Sequence, residues 1–403
     1  MDENQFLNEF YKMLSPVDLW EGETNSIKEI FDARLTRHGI TINQAEKMLN
    51  MQKRTLEGIL DGSAKRVDVI NLLKLGQFLG LQMDALLKLF LNDMPQEMVG
   101  ELEDAKKKSY ILSTFDIKSL AKSGFLTTKT DFDQIEKRIV TYFGLKSIFQ
   151  YSNKQIIPAF SKTKKSESSL MREFWVRSAY AHFDCLKNPN LYDKMKLVDL
   201  IAKIKPYSMN VTTGLRTVTQ ALYNIGVSVI YQPHLQTTQV RGATFIINGK
   251  PCIVLTDLNK RYATIWFALL HELHHVIFDF DEIERNVFHL TGEADLFLLQ
   301  EDKADEFARD YFLPAERSRF IYKYIDSPLV VANFAREHQI HPSMIYNFYC
   351  WDMDATGKGS FWAKYKHTEA DVKLALKDIN IDPFDKERVE DTVNYLKENI
   401  FNI

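Results

Sequence analysis

Residues 271–275 read HELHH, and they sit inside IWFALLHELHHVIFDF (265–280), a segment that is otherwise almost wholly apolar. Three imidazoles and a carboxylate in such a run constrain the fold more than any other feature, because an unpaired charge or unsatisfied ring nitrogen in apolar surroundings is costly. In a helix, residues four apart share a face. His271 and His275 can therefore offer ring nitrogens to one ion, while Glu272, turned about 100° away, can reach a water bound to it. Trp266, Phe267, Leu269, Leu270, Leu273, Val276 and Ile277 leave this helix no wet face to justify polar residues. A metal does justify them. A catalytic zinc takes three protein ligands and keeps a fourth position for water, so a third ligand is expected from elsewhere in the chain.

The segment QEDKADEFARDYFLP (300–314) reads as a helix stopped by Pro314, with Glu301, Ala304, Asp305, Ala308 and Phe312 on one face. Its two alanines allow a close approach to the HELHH helix. Glu301 is then placed to be the third ligand, and Asp305, one turn on, to accept the free N–H of a ligating histidine. Glu293 is nearer in sequence, and Glu306 with Asp310 repeats the spacing on what is expected to be the solvated side. His274, between the two ligands, is read as an imidazole that supports the site or faces solvent.

Around this helix the periodicity predicts a mainly α protein with a small β-sheet, of the α+β class. GVSVIYQPHL (226–235), ATFIING (243–249) and KPCIVLTD (250–257) read as strands, with Asn248-Gly249 as a hairpin turn. ATFIING is placed in sequence to be the edge strand beside the HELHH helix, where an extended substrate could pair with it. From 301 onward the chain reads as helical, with breaks at Pro314, Pro328, Pro342 and Pro383. Four regions are expected: a helical bundle over 1–95, a helical connecting region over 96–169, a metal-binding domain over 170–320, and a helical region over 321–403 packing on it. The Lys/Ser-rich SKTKKSESS (161–169) is the expected main boundary. Cys185, Cys252 and Cys350, odd in number and far apart, argue against a disulfide framework and read as buried thiols.

The N-terminal bundle contains TINQAEKMLNMQKRTLEGILDG (41–62), two short helices around a turn near Asn50-Met51, with Ala45, Leu49, Leu56 and Ile59 at helical spacing. Gln52, Lys53, Arg54 and Thr55 fall at the start of the second helix, and Lys65 and Arg66 follow in the next loop. These residue types reach base edges and phosphates. With 51 Lys plus Arg against 54 Asp plus Glu in the whole chain there is no global field to attract nucleic acid. Residues 26–95 hold ten Lys/Arg and eight Asp/Glu, a net of +2. Any DNA contact must be local, and a protein-interaction bundle is the competing reading. The acidic N-terminus and the lack of a long apolar run predict a cytoplasmic protein with no membrane partner.

Two resemblances follow from these residues. The run from about 170 to 350 resembles the ImmA/IrrE family of zinc metallopeptidases, gluzincin-like in ligand set, through RGATFIINGKPCIVLTD (241–257), FALLHELHH (267–275) and EDKADEFARDYFLP (301–314). The resemblance implies a zincin-like fold, Zn2+ on His271, His275 and Glu301, and Glu272 as the catalytic carboxylate of an endopeptidase. His274 stands where glycine is usual. A helix–turn–helix-like stretch, VVANFAREHQIHPSMIYNFY (330–349), is expected to pack against the peptidase core. Residues 26–95 are similar to Cro/repressor-type (XRE) helix-turn-helix domains, although the usual Leu-Ala-x-x-x-Gly run is altered to MLNM. Together they imply a regulator that binds DNA, with a homodimer as the assembly that paired half-sites call for, and that cleaves a repressor or similar protein encoded nearby. The alternative is a HigA-antitoxin-like transcriptional autoregulator with a structural or idle zinc site.

Overall fold

The computed structural model describes residues 26–64, 66–92, 96–153, 167–235, 238, 240–256, 260–286, 288–291, 301–379 and 382–401. They form two compact units, one ending at Ser109 and one beginning at Tyr110. In the first, the helices Ile27–His38, Ile42–Leu49, Lys53–Leu60, Val69–Leu79 and Met83–Asn92 follow one another as the periodicity predicts. Local chemistry sets their ends. Ser26 accepts the Lys28 N–H, and Gly39, at φ 63°, ends the first helix in the left-handed region. The Gln44 side chain accepts the Thr41 N–H at 2.8 Å to open the second helix, and Asn50, at φ 47°, closes it. Ala45, Leu49, Leu56 and Ile59 are all buried, in one core with Ile30, Phe31, Leu75 and Leu79.

The second unit is mainly helical around a small sheet of β1 (Ser228–Tyr231), β2 (Gly242–Ile247), β3 (Lys250–Leu255) and β4 (Phe288–Thr291). The strand order is β1-β3-β2-β4, with β1 parallel to β3 and the other pairs antiparallel. Asn248 and Gly249, at φ 52° and 71°, close the β2–β3 hairpin, both in the left-handed region that a tight two-residue turn requires. The edge position expected for ATFIING is not what forms. β2 has β3 on one side and β4 on the other, from Gly242 opposite Thr291 to Phe245 opposite Phe288. β4 is a run of four residues, too short for its alternation to announce a strand.

Both faces of the sheet are covered. Ile253 and Leu255 of β3 join Val229 of β1 and the HELHH helix, Tyr262–Phe278, in one core. Cys252 and Val254, on the other face, pack with Phe174 and Trp175 of helix Glu167–Leu186 and with Ile111, Phe115, Leu120, Ile135 and Ile139. The boundary expected at 161–169, of which 161–166 lie outside the described residues, therefore does not separate two cores. Segment 110–153 is the back layer of the sheet rather than a connector. The physical reason is legible in β3, whose continuous apolar run suits a strand buried on both faces.

Helices Pro328–Glu337 and Pro342–Ala355 bury Val331, Phe334, Met344, Ile345 and Phe348 in the HELHH core, so the 330–349 stretch packs as expected. Cys252 and Cys350 are buried, and Cys185 is only half-buried. Among the described residues, no helix is long and apolar enough to cross a membrane.

Candidate metal centre

The HELHH helix is buried along nearly its whole length: of residues 262–277, only Thr264 and Phe267 escape full burial. Helix Glu301–Phe312 packs on it through Ala304, Ala308 and Phe312, all fully buried, while Glu306 and Asp310 are exposed. The two small side chains let the backbones approach closely. Glu301 is thereby brought to the histidines.

His271 Nε2 and His275 Nε2 are 3.1 Å apart, and the Glu301 carboxylate faces both, its Oε2 3.4 Å from His271 Nε2 and its Oε1 3.4 Å from His275 Nε2. Donors held at 2.0–2.1 Å by a tetrahedral ion stand about 3.3–3.4 Å from one another. The two Nε2 atoms and the Glu301 carboxylate thus make a triangle of groups near that spacing, and they could hold a metal ion. The Nδ1 atoms reinforce this. His271 Nδ1 is 2.8 Å from Asp305 Oδ1, and His275 Nδ1 is 2.7 Å from Asp279 Oδ2. With both Nδ1–H groups donating to carboxylates, the facing Nε2 atoms turn lone pairs toward one another and toward Glu301, an arrangement that requires positive charge between them.

Without a metal, a proton supplies that charge. Burial opposes a charged His271, yet hydrogen bonds to Asp305 and Glu301 outweigh it and raise the imidazole to about 9. Because this folded-state value lies above the unfolded one, its contribution to stability is fully present below about pH 6.5 and lost as pH rises through about 9. Chelator-treated protein should accordingly melt at lower temperature at pH 9 than at pH 6.5. A melting temperature that rises over that interval would contradict the assignment.

Glu272 is fully buried beside the ligands, and its Oε2 accepts the Thr244 hydroxyl of β2 at 2.7 Å. Gly242 lies against the same carboxylate, where an added Cβ would stand 2.3 Å from Oε1. β2 thus pins one oxygen of Glu272 and, by having no side chain at Gly242, leaves room for the other.

His274 does not face solvent. It is 7% exposed, with its ring between Phe278 and Phe307. Burial and the neighbouring His275 push its pKa down. Glu293 lies outside the described residues. In the first unit, Gln52, Lys53, Arg54 and Arg66 are exposed and Thr55 is half-buried; Lys53 pairs with Glu57 at 3.8 Å, and Lys65 lies outside the described residues.

Sequence reading missed Asp279, Thr244 and Gly242. Asp279 had a signal, since it follows His275 by four on the same helical turn. Thr244 and Gly242 had none beyond their place on a strand. Removing either orienting carboxylate, by Asp279→Ala or Asp305→Ala, should weaken metal binding by about 10–100-fold. A competition titration with a chelating dye measures this, and unchanged affinity in both variants would show the hydrogen bonds to be incidental. Compared with family models, curated proteins and solved structures, the chain shows no significant match.

Proposed function

We propose that the chain is a DNA-binding regulator with a zinc-dependent endopeptidase centre that cleaves a regulatory protein, a repressor or similar. The observation that carries the peptidase reading is the triangle of His271 Nε2, His275 Nε2 and the Glu301 carboxylate beside a fully buried glutamate. His271, His275 and Glu301 would hold the zinc, which would supply Lewis acidity toward a peptide carbonyl and toward the attacking water. Glu272 moves the protons. Its carboxylate, steadied by the Thr244 hydroxyl on Oε2, takes the proton from the attacking water on one oxygen. As the water oxygen bonds to the carbonyl carbon and the C–N bond breaks, the same carboxylate oxygen passes that proton to the leaving amine. Asp305 and Asp279 keep the histidine rings oriented throughout.

Backbone pairing with an extended substrate falls to β4, which lies on the rim of the sheet where β2 had been expected. The test is proteolysis of the proteins encoded beside this one by the purified full-length chain. Intact substrates that remain uncut at full metal occupancy would remove the peptidase reading.

The helices over 27–92 support the DNA-binding part: Asn50 makes the tight turn, and Gln52, Lys53 and Arg54 stand exposed at the start of the helix that follows. With little net charge in this segment, specificity must rest on these few side chains, and binding should improve on dimerisation over paired half-sites. Arg54→Ala in the full chain should cost about 1–3 kcal/mol in operator binding and relax sequence preference, whereas Lys65→Ala should weaken all DNA alike and lower the salt slope by about one. A salt titration against DNA from the protein's own promoter separates these outcomes. Salt-independent binding, or none, would leave the unit as a protein-interaction bundle. Operator binding with an idle metal site, unaffected by loss of Glu272, would favour the autoregulator instead.

A further inference from the structure

His274 is the one polar residue of HELHH that this chemistry leaves unused. Phe278 and Phe307 hold its ring, with centroids at 4.6 and 5.5 Å. Its side chain is more than nine-tenths buried, and Nδ1 has no hydrogen-bond partner. A buried ring nitrogen left in that condition is destabilising and calls for a ligand. Nδ1 lies 3.9 Å from Asp279 Oδ2, the oxygen that also faces His275 Nδ1 at 2.7 Å. An open cavity of about 730 Å³ adjoins this pair, lined by His274 and Asp279 and by the carboxylates of Glu306 and Asp310, with Lys303 the one ammonium.

We propose that His274 Nδ1 and Asp279 form a second, weaker site for a dication of the zinc class, completed by water or carboxylate from the adjoining cavity. An imidazole nitrogen and a carboxylate suit zinc better than calcium or magnesium, which prefer oxygen alone. Donors around a tetrahedral ion stand about 3.3–3.4 Å apart, so the 3.9 Å gap closes with a small rotation of Asp279. Asp279 can serve both neighbours, since a carboxylate has about four lone-pair positions. His275 keeps its Nδ1–H on Asp279 and its Nε2 toward the first centre, so it is not a ligand here. Sharing Asp279 makes the two sites antagonistic: loading one draws electron density from the support of the other, reciprocally. Binding is therefore stepwise.

This inference rests on the metal reading of HELHH for the antagonism only, and the test keeps the two apart. Full-length protein stripped by chelator is titrated with Zn2+ alone against a chromophoric competitor. Wild type is expected to show two steps, the second at least about tenfold weaker than the first. His274→Phe keeps the aromatic packing and removes the donor, and His274→Ala is its partner variant; both should lose the second step and keep the first. His271→Ala should lose the first step and keep the second. A single step in the wild type at excess zinc, or a second step that survives in His274→Phe, overturns the second site. Absence of the tight step with the weak one retained would instead count against the first centre and leave the His274 site standing.

Discussion

Glu272→Gln is expected to keep the metal and the fold and to lose peptide cleavage by about 10²–10⁴-fold, the range that a positioned general base contributes. The substitution is nearly isosteric, and its carbonyl oxygen can still accept the Thr244 hydroxyl that now binds Oε2. What the amide cannot do is take a proton from water. Metal content should not change, because the groups that could hold the ion are His271, His275 and Glu301. The check is a cleavage assay on wild type and variant at matched metal occupancy. Cutting at an undiminished rate would mean that another group moves the proton.

Single removal of His271, His275 or Glu301 by alanine should take tightly bound zinc from about one ion per chain to nearly none, because a catalytic site has only three protein ligands to lose. Stability should follow. An ion that binds only the folded state stabilises it by about 4 kcal/mol when present at a thousand times its dissociation constant, so chelation should lower the melting temperature of wild type and leave the three variants unmoved. His274→Ala should keep the tightly bound ion, since no donor of that triangle comes from His274. Elemental analysis together with melts before and after chelation reads all of this. Full occupancy in Glu301→Ala would transfer the third ligand to another acid, with Glu293 the first to examine.

Much of the centre was written in local spacing. An i, i+4 pair of histidines in an apolar helix, and a glutamate with two alanines on one face of a second, each say what they can do before any neighbour is known, because helical periodicity alone decides which side chains share a face. The five N-terminal helices were legible for the same reason, with Gly39 and Asn50 marking their ends. Asp279 was equally within reach, at the helical spacing from His275. Tertiary structure decided the rest. Strand neighbours depend on pairing between segments far apart in sequence, so nothing in ATFIING could show that FHLT would cover it and take the rim. The two-sided burial of the sheet joined segment 110–153 to the metal-binding unit, across a Lys/Ser-rich stretch whose composition suggested a linker. Thr244 and Gly242 acquire meaning only where β2 crosses the HELHH helix, since a hydroxyl and a missing Cβ act by contact, and contact between a strand and a helix has no period to betray it.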